Sequence, residues 1–202
     1  MSDPIDFYFD FISPYGYAAA SRIEVLAAKH ARQVRWRTFN MRSVNATIIG
    51  LDKPLFQQPL KGPYFMQDVP RTIRYFELPY NPGSVLDFNP LAAMRAFWFL
   101  NDQDPDTARR FAWRIFQVFF AEKTVPNEPE AVAAIAAEVG ADPNGVRAYL
   151  TTPEAKARLK AETDSAVAAG VWGTPTFKVA DQLFWGCDRM QMLDEWLARG
   201  GW

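Results

Sequence analysis

Few residues in this chain can do chemistry. The 202 residues contain one cysteine, Cys187, and one histidine, His30. An internal disulfide and a multi-thiolate metal site are therefore excluded, as is any mechanism that needs two imidazoles. Hydroxyls, carboxylates and cations remain, and they gather in three short stretches. Ser13-Pro14-Tyr15-Gly16 follows an apolar run, Gly170 to Phe177 reads Gly-Val-Trp-Gly-Thr-Pro-Thr-Phe, and Gly186-Cys187-Asp188-Arg189 follows a second apolar run. Ser13 suits a helix N-cap and Pro14 the first helical position. The free N–H groups and partial positive charge of a helix start favour an anion, and a hydroxyl there can donate to one. A fourth group, Lys61, Tyr64, Asp68 and Arg71, recurs at spacings of three and four and can share one helix face. Glycine-rich phosphate loops, histidine-based triads and clusters of metal ligands are absent.

Each of these residues also has a plain reading. Ser13 can be a simple cap worth about 1 kcal/mol. Pro175 can mark the start of an edge strand. Asp188 stabilises a helix start by its charge alone, and Trp172 can be core. Cys187 can be a small buried hydrophobe, with a redox role as the alternative. His30, near the end of the first helix, reads as a partner of the helix dipole.

The elements that must position these groups are written in the periodicity. Ile5 to Phe11 reads as a strand rich in aromatic residues, with Asp6 and Asp10 near its ends. A helix follows from Pro14, with Ala19, Ile23, Leu26 and Ala27 on one face, ending near His30. Gln33 to Phe39 alternates as a second strand, and a β-α-β crossover of this kind makes the two parallel. Residues 42–60 carry no clear period and read as loop with a short helix, the part from Asn45 to Pro54 bordering the site. From Lys61 to about Gly170 the pattern is helical. Tyr64 to Phe76 is predicted as a helix kinked or broken at Pro70. Asn89-Pro90 is predicted to cap and start a helix to Leu100. Asp104-Pro105 precedes Thr107–Ala121, and Glu128-Pro129, Asp142-Pro143 and Thr152-Pro153 open three more, with stops at Gly140 and Gly170. Thr176 to Val179 and Gln182 to Trp185 form a tight hairpin about Ala180-Asp181. A last helix, Asp188 to Arg199, is predicted to turn Met192, Leu193 and Trp196 inward.

Composition bounds the class. At 49% apolar and 15% aromatic residues the chain buries a substantial core, and a formal net charge of −1 gives no footprint for nucleic acid or an anionic membrane. No apolar run reaches the ~18 residues of a membrane span. Met-Ser-Asp-Pro has neither the basic region nor the apolar segment of a signal peptide, so a soluble, cytoplasmic protein is expected.

Taken together, Phe9 to Tyr15 (Phe-Asp-Phe-Ile-Ser-Pro-Tyr), Gly173-Thr174-Pro175-Thr176-Phe177 and Trp185-Gly186-Cys187-Asp188-Arg189 resemble the DsbA-like group of thioredoxin folds. Within it they look most like the 2-hydroxychromene-2-carboxylate isomerases, with kappa-class glutathione transferases as relatives. The resemblance spans nearly the whole chain. It implies an α/β fold: a discontinuous thioredoxin-like domain, β-α-β…β-β-α, of residues 1–41 and 171–202, with an all-helical insertion of residues 42–170. Ser13 stands where disulfide oxidoreductases of this fold carry the first cysteine of Cys-x-x-Cys. Dithiol exchange needs an attacking thiolate and a resolving thiol, and Ser-Pro-Tyr-Gly offers neither.

The resemblance implies glutathione as cofactor, with Ser13 activating its thiol at the helix start. It also implies a cis bond before Pro175 that turns the Thr174 backbone to an extended tripeptide, with Val171 and Trp172 lining the same pocket. Asp188 would take the γ-glutamyl ammonium, beside Cys187, Arg189 and backbone N–H groups. Relatives have Asn or Ser where this chain has Cys187, a weaker donor, and an asparagine expected near Gly50-Leu51-Asp52 has no match. The substrate side falls to Tyr15, Lys61, Tyr64, Arg71, Asn89 and Arg95, where a cation would meet a small aromatic carboxylate. The implied reaction is an isomerisation by reversible thiolate addition and ring opening. A kappa-like glutathione transferase is the alternative, and a thioredoxin-fold binding protein without catalysis is the second. Relatives also make a homodimer plausible.

Overall fold

The computed structural model describes residues 3–51 and 53–202. Met1 and Ser2 of the N-terminal reading, and Asp52 of the loop expected at the site, lie outside the described residues. Strand β1 (Ile5–Phe9) leads to α1 (Pro14–Ala20), α2 (Ile23–Lys29) and β2 (Val34–Thr38). A short α3 (Met41–Val44), a π-helical turn (Asn45–Ile49) and a 3₁₀ turn (Leu55–Gln57) follow. The helical block is α4 (Lys61–Tyr75), α5 (Leu91–Gln103), α6 (Pro105–Phe120), α7 (Pro129–Glu138), α8 (Pro143–Leu150) and α9 (Pro153–Ala168). The chain closes with β3 (Thr176–Val179), β4 (Gln182–Trp185), a 3₁₀ turn (Cys187–Arg189) and α10 (Met190–Arg199). This is an α/β fold of the thioredoxin type with a helical insertion.

The four strands run in the order β2-β1-β3-β4. β1 and β2 are parallel, as the crossover requires, with Phe7 opposite Trp36, while β3 lies antiparallel to β1 with Phe7 opposite Phe177. The β3–β4 hairpin turns at Ala180, whose φ is +51°, and pairs Val179 with Gln182. The central strand is buried along its whole length, so one face can carry an aromatic cluster. Phe9 packs against Trp36, Phe97 and Phe116, and Phe7 against Phe177. Burying each such ring contributes roughly 1.5–3 kcal/mol, and the cluster fastens α5 and α6 onto the sheet. On the strand pair itself Asp6 is buried and held by Arg35 at 2.7 Å and Arg37 at 2.8 Å. Arg37 also reaches Glu162 at 3.4 Å, tying α9 to β2.

Several expected boundaries move. The first helix is two, because the Ser21 hydroxyl turns back on the Ala18 carbonyl at 2.7 Å and Arg22 leaves the helical region. α4 runs through Pro70 without a break. α5 begins at Leu91, one residue after the expected Pro90, and the Asn89 carboxamide accepts the Leu91 N–H at 3.3 Å from outside the helix. On α10 the buried residues are Met190, Leu193 and Leu197, with Trp196 partly buried against the core as expected, while Met192 is exposed. His30 does cap α2, and its Nε2 pairs with Asp194 of α10 at 2.6 Å. No helix among the described residues is long and apolar enough to cross a membrane.

Candidate functional site

The end of β1 is built to present Ser13. The Asp10 carbonyl accepts the Ser13 N–H at 3.0 Å, which turns the chain and leaves Ser13 extended at φ −90°, ψ 111°. Its Oγ then accepts the Gly16 N–H at 3.0 Å as the N-cap of α1, with Pro14 in the first helical position. The same hydroxyl donates to the Thr174 carbonyl at 3.4 Å, across 161 residues of sequence. That bond is long, so the hydroxyl is available to a better acceptor placed beside it.

Thr174-Pro175 is cis, and the Thr174 N–H makes no hydrogen bond among the described residues. The Pro175 carbonyl accepts the Gly186 N–H at 2.9 Å, which brings the third stretch alongside the second. Gly186 holds φ +110°, and a Cβ there would fall 2.2 Å from Asp188 Oδ1. A side chain at that position would displace the carboxylate from the site. The three stretches thus converge through one side-chain bond, Ser13 to Thr174, and one main-chain bond, Gly186 to Pro175.

They border one cleft of about 2290 Å³. Ser13, Tyr15, Thr174, Pro175, Cys187, Asp188 and Arg189 line it from the thioredoxin-like side, and Lys61, Tyr64, Asp68 and Arg71 of α4 line it opposite. Seven cations meet four acids around this cleft. Arg22, Lys29 and Arg189 are paired with Glu77, Asp194 and Asp188, and Arg42 donates to the Val85 carbonyl. Lys53, Lys61 and Arg71 have no carboxylate partner among the described residues. An anionic ligand is therefore favoured at that wall.

Asp68 organises the junction of the two sides. It accepts the Tyr15 hydroxyl at 2.8 Å, the Tyr64 hydroxyl at 3.3 Å and the Thr72 hydroxyl at 3.4 Å. Burial, followed by the hydrogen bond to Asp68, raises the Tyr15 phenol well above its ordinary pKa. It stays a neutral donor at any physiological pH. Cys187 is buried, and desolvation together with the Asp188 and Asp68 charges pushes its thiol up to about 12. Its thiolate is therefore scarce at neutral pH, which disfavours a redox role.

Four expected site residues lie elsewhere. Val171 is buried beside Tyr8, Phe39, Val44 and Ala166, because its N–H closes the end of α9 on the Ala166 carbonyl and turns the side chain inward. Trp172 is 50% exposed and packs on Trp185, ring centroids 4.2 Å apart, off the cleft. Asn89 is taken up at the entry to α5, where its main-chain N–H also donates to Asn127 Oδ1 at 2.7 Å. Arg95 is half-buried on α5 with its Nε unpartnered, and does not border the cleft. Asp10, expected only as a polar end of the first strand, lies beneath the Ser13 turn. It is fully buried, and its carboxyl accepts N–H groups from Ile12 at 3.1 Å and Met41 at 3.0 Å. The available signal was an Asp three residues before a capping Ser, the pattern of an Asx turn.

The family model of the DSBA-like thioredoxin domain matches residues 4–198. A 2-hydroxychromene-2-carboxylate isomerase of Pseudomonas putida is 25% identical over 195 residues, covering 96% of this chain and 94% of its own. Human glutathione S-transferase kappa 1 is 24% identical over 206 residues, covering 94% and 88%. A solved structure of a 2-hydroxychromene-2-carboxylate isomerase superposes with a TM-score of 0.84 at 25% identity, over 96% of this chain and 94% of that one.

Proposed function

The chain belongs to the DSBA-like thioredoxin domain family, and from that premise we propose that it is a glutathione-dependent isomerase of 2-hydroxychromene-2-carboxylate or a related intermediate of aromatic-compound breakdown. The relatives named as isomerases over nearly the full chain support an isomerase. The observation that carries the glutathione dependence is a thiolate site without a protein thiol. Ser13 caps α1 and faces the Thr174 carbonyl at 3.4 Å, while the chain's single cysteine, on the same side of the cleft, is buried with its thiol pushed up to about 12.

The residues present fit the tripeptide. The free Thr174 N–H beside the cis proline offers strand-like pairing to an extended backbone, and the exposed Asp188 carboxylate suits an ammonium. When bound, glutathione supplies the nucleophilic sulfur that adds to the substrate and is released again. The Ser13 hydroxyl turns from the Thr174 carbonyl to the sulfur and donates to it, with the α1 N-terminus adding its field. Lys61 and Arg71 hold the substrate carboxylate, and Tyr15 and Tyr64, fixed by Asp68, wall the aromatic ring. Reduced glutathione is plentiful in the cytoplasm, where this reading locates the enzyme.

Titrating glutathione into the protein by calorimetry tests the premise. Saturable binding, weakened by Asp188→Asn, is expected, and absence of binding would leave a binding protein without this chemistry. The full-length likeness to human glutathione S-transferase kappa 1 favours one second reading, in which glutathione is conjugated to an electrophile and leaves with it.

A further inference from the structure

We propose that Asp10 is a positioning residue for this reaction, a buried joint that fixes Ser13 relative to the wall of the substrate space; the inference rests on the isomerase reading. The joint is seen in three bonds. The Asp10 main-chain carbonyl takes the Ser13 N–H at 3.0 Å, one carboxyl oxygen takes the Ile12 N–H at 3.1 Å, and the other takes the Met41 N–H at 3.0 Å. Ile12 belongs to the turn that presents Ser13. Met41 opens α3, and Met41, Arg42, Asn45 and Ala46 form the cleft wall that follows. One fully buried side chain therefore spans the nucleophile's holder and the substrate's container.

A purely structural residue would not need a charge there. Burying a carboxyl is unfavourable unless it is well bonded, and a turn alone could be held by asparagine. An ionised carboxylate offers a full acceptor oxygen to each N–H group, whereas protonation turns one oxygen into a hydroxyl, a weaker acceptor whose proton itself needs a partner. Burial pushes the pKa up to about 6, against the two N–H bonds and against Arg42 of α3, the one charged side chain acting on it among the described residues. The joint is closed at neutral pH, and one of its two bonds weakens in mild acid.

The test compares wild type with Asp10→Asn in the full chain. The variant keeps one acceptor and turns an amide donor towards the other N–H. Misplacing a reacting group by about an ångström costs on the order of a hundred-fold, so kcat is expected to fall about ten-fold or more at neutral pH while glutathione affinity holds within about three-fold. The component of the wild-type kcat/KM acid limb with a midpoint near pH 6 should be absent from the variant, leaving only the limb set by the glutathione thiol. Amide exchange at Ile12 and Met41 should quicken together. Unchanged kcat with the same acid limb in both proteins would overturn the proposal.

Should the variant not fold, a carbon-detected titration of wild-type Asp10 decides the matter. The Ile12 and Met41 amide shifts should follow its midpoint, and independence of the three signals would contradict the joint. If wild type shows no isomerase activity, it is the functional reading that fails. The exchange and titration data still decide whether Asp10 couples the two segments.

Discussion

Replacing Ser13 with alanine separates two effects of one oxygen atom. Loss of the cap to the Gly16 N–H should cost about 1 kcal/mol of stability, or roughly 2–4 °C in Tm for a chain of this size. The fold survives that loss. The chemical effect is larger. A hydrogen bond to a charged group contributes about 1.5–3 kcal/mol, and about 1.4 kcal/mol corresponds to one pKa unit. Without the hydroxyl, the pKa of bound glutathione should rise by about one to two units. The helix N-terminus remains, so the thiol does not return fully to its solution value. Turnover at neutral pH should then fall about ten- to a hundred-fold and recover as pH is raised. The assay follows thiolate absorbance of bound glutathione against pH, with kcat measured at each pH. An unchanged thiol pKa, or near-normal turnover at saturating glutathione, would refute the role given to Ser13.

Other perturbations have defined outcomes. Cys187→Ala should keep glutathione-dependent activity within about two-fold, since a thiol with a pKa near 12 is rarely ionised at pH 7; loss of activity in the alanine variant would return the thiol to the mechanism. Lys61→Gln and Arg71→Gln should each raise KM for the carboxylate by up to about five-fold, the size of an exposed charge contact near 1 kcal/mol, with little change in glutathione affinity; a fall in kcat at constant KM would contradict carboxylate binding. Asp10 has a folded pKa of about 6 against an ordinary 3.8, so its contribution to stability is full below pH 4 and is lost as pH rises through 6. The loss amounts to roughly 3 kcal/mol at 1.4 kcal/mol per unit. Urea unfolding of Asp10→Asn should therefore lack that decline between pH 4 and 6, and parallel curves for the two proteins would show that Asp10 does not titrate there.

How legible the protein is from sequence depends on how local its instructions are. Asp104-Pro105, Asp142-Pro143 and Thr152-Pro153 each place a side-chain acceptor over the next turn, so those helix starts can be read residue by residue. The β3–β4 hairpin is similarly self-contained. The division of the first helix at Ser21 was hidden, because Ala19, Ile23, Leu26 and Ala27 keep a helical period across the break. Val171 and Trp172 sit next to the cleft residues in sequence, yet one closes α9 into the core and the other packs at a tilt on Trp185. Their direction depends on partners that no local pattern encodes. Asp10 is the clearest case: its Asx turn is local, but its function rests on the Met41 N–H, 31 residues away. Asp68 likewise matters through the Tyr15 hydroxyl, 53 residues distant. Both were visible as acids and neither was visible as a junction.

The central claim is that the chain borrows a thiolate and gives it back. The most direct measurement incubates purified protein with 2-hydroxychromene-2-carboxylate and a trace of glutathione, and follows product mass and free thiol together. The account predicts a product of unchanged mass, many turnovers per glutathione, and no turnover without it. A product heavier by one glutathione with equal loss of free thiol, or full activity in its absence, would contradict it.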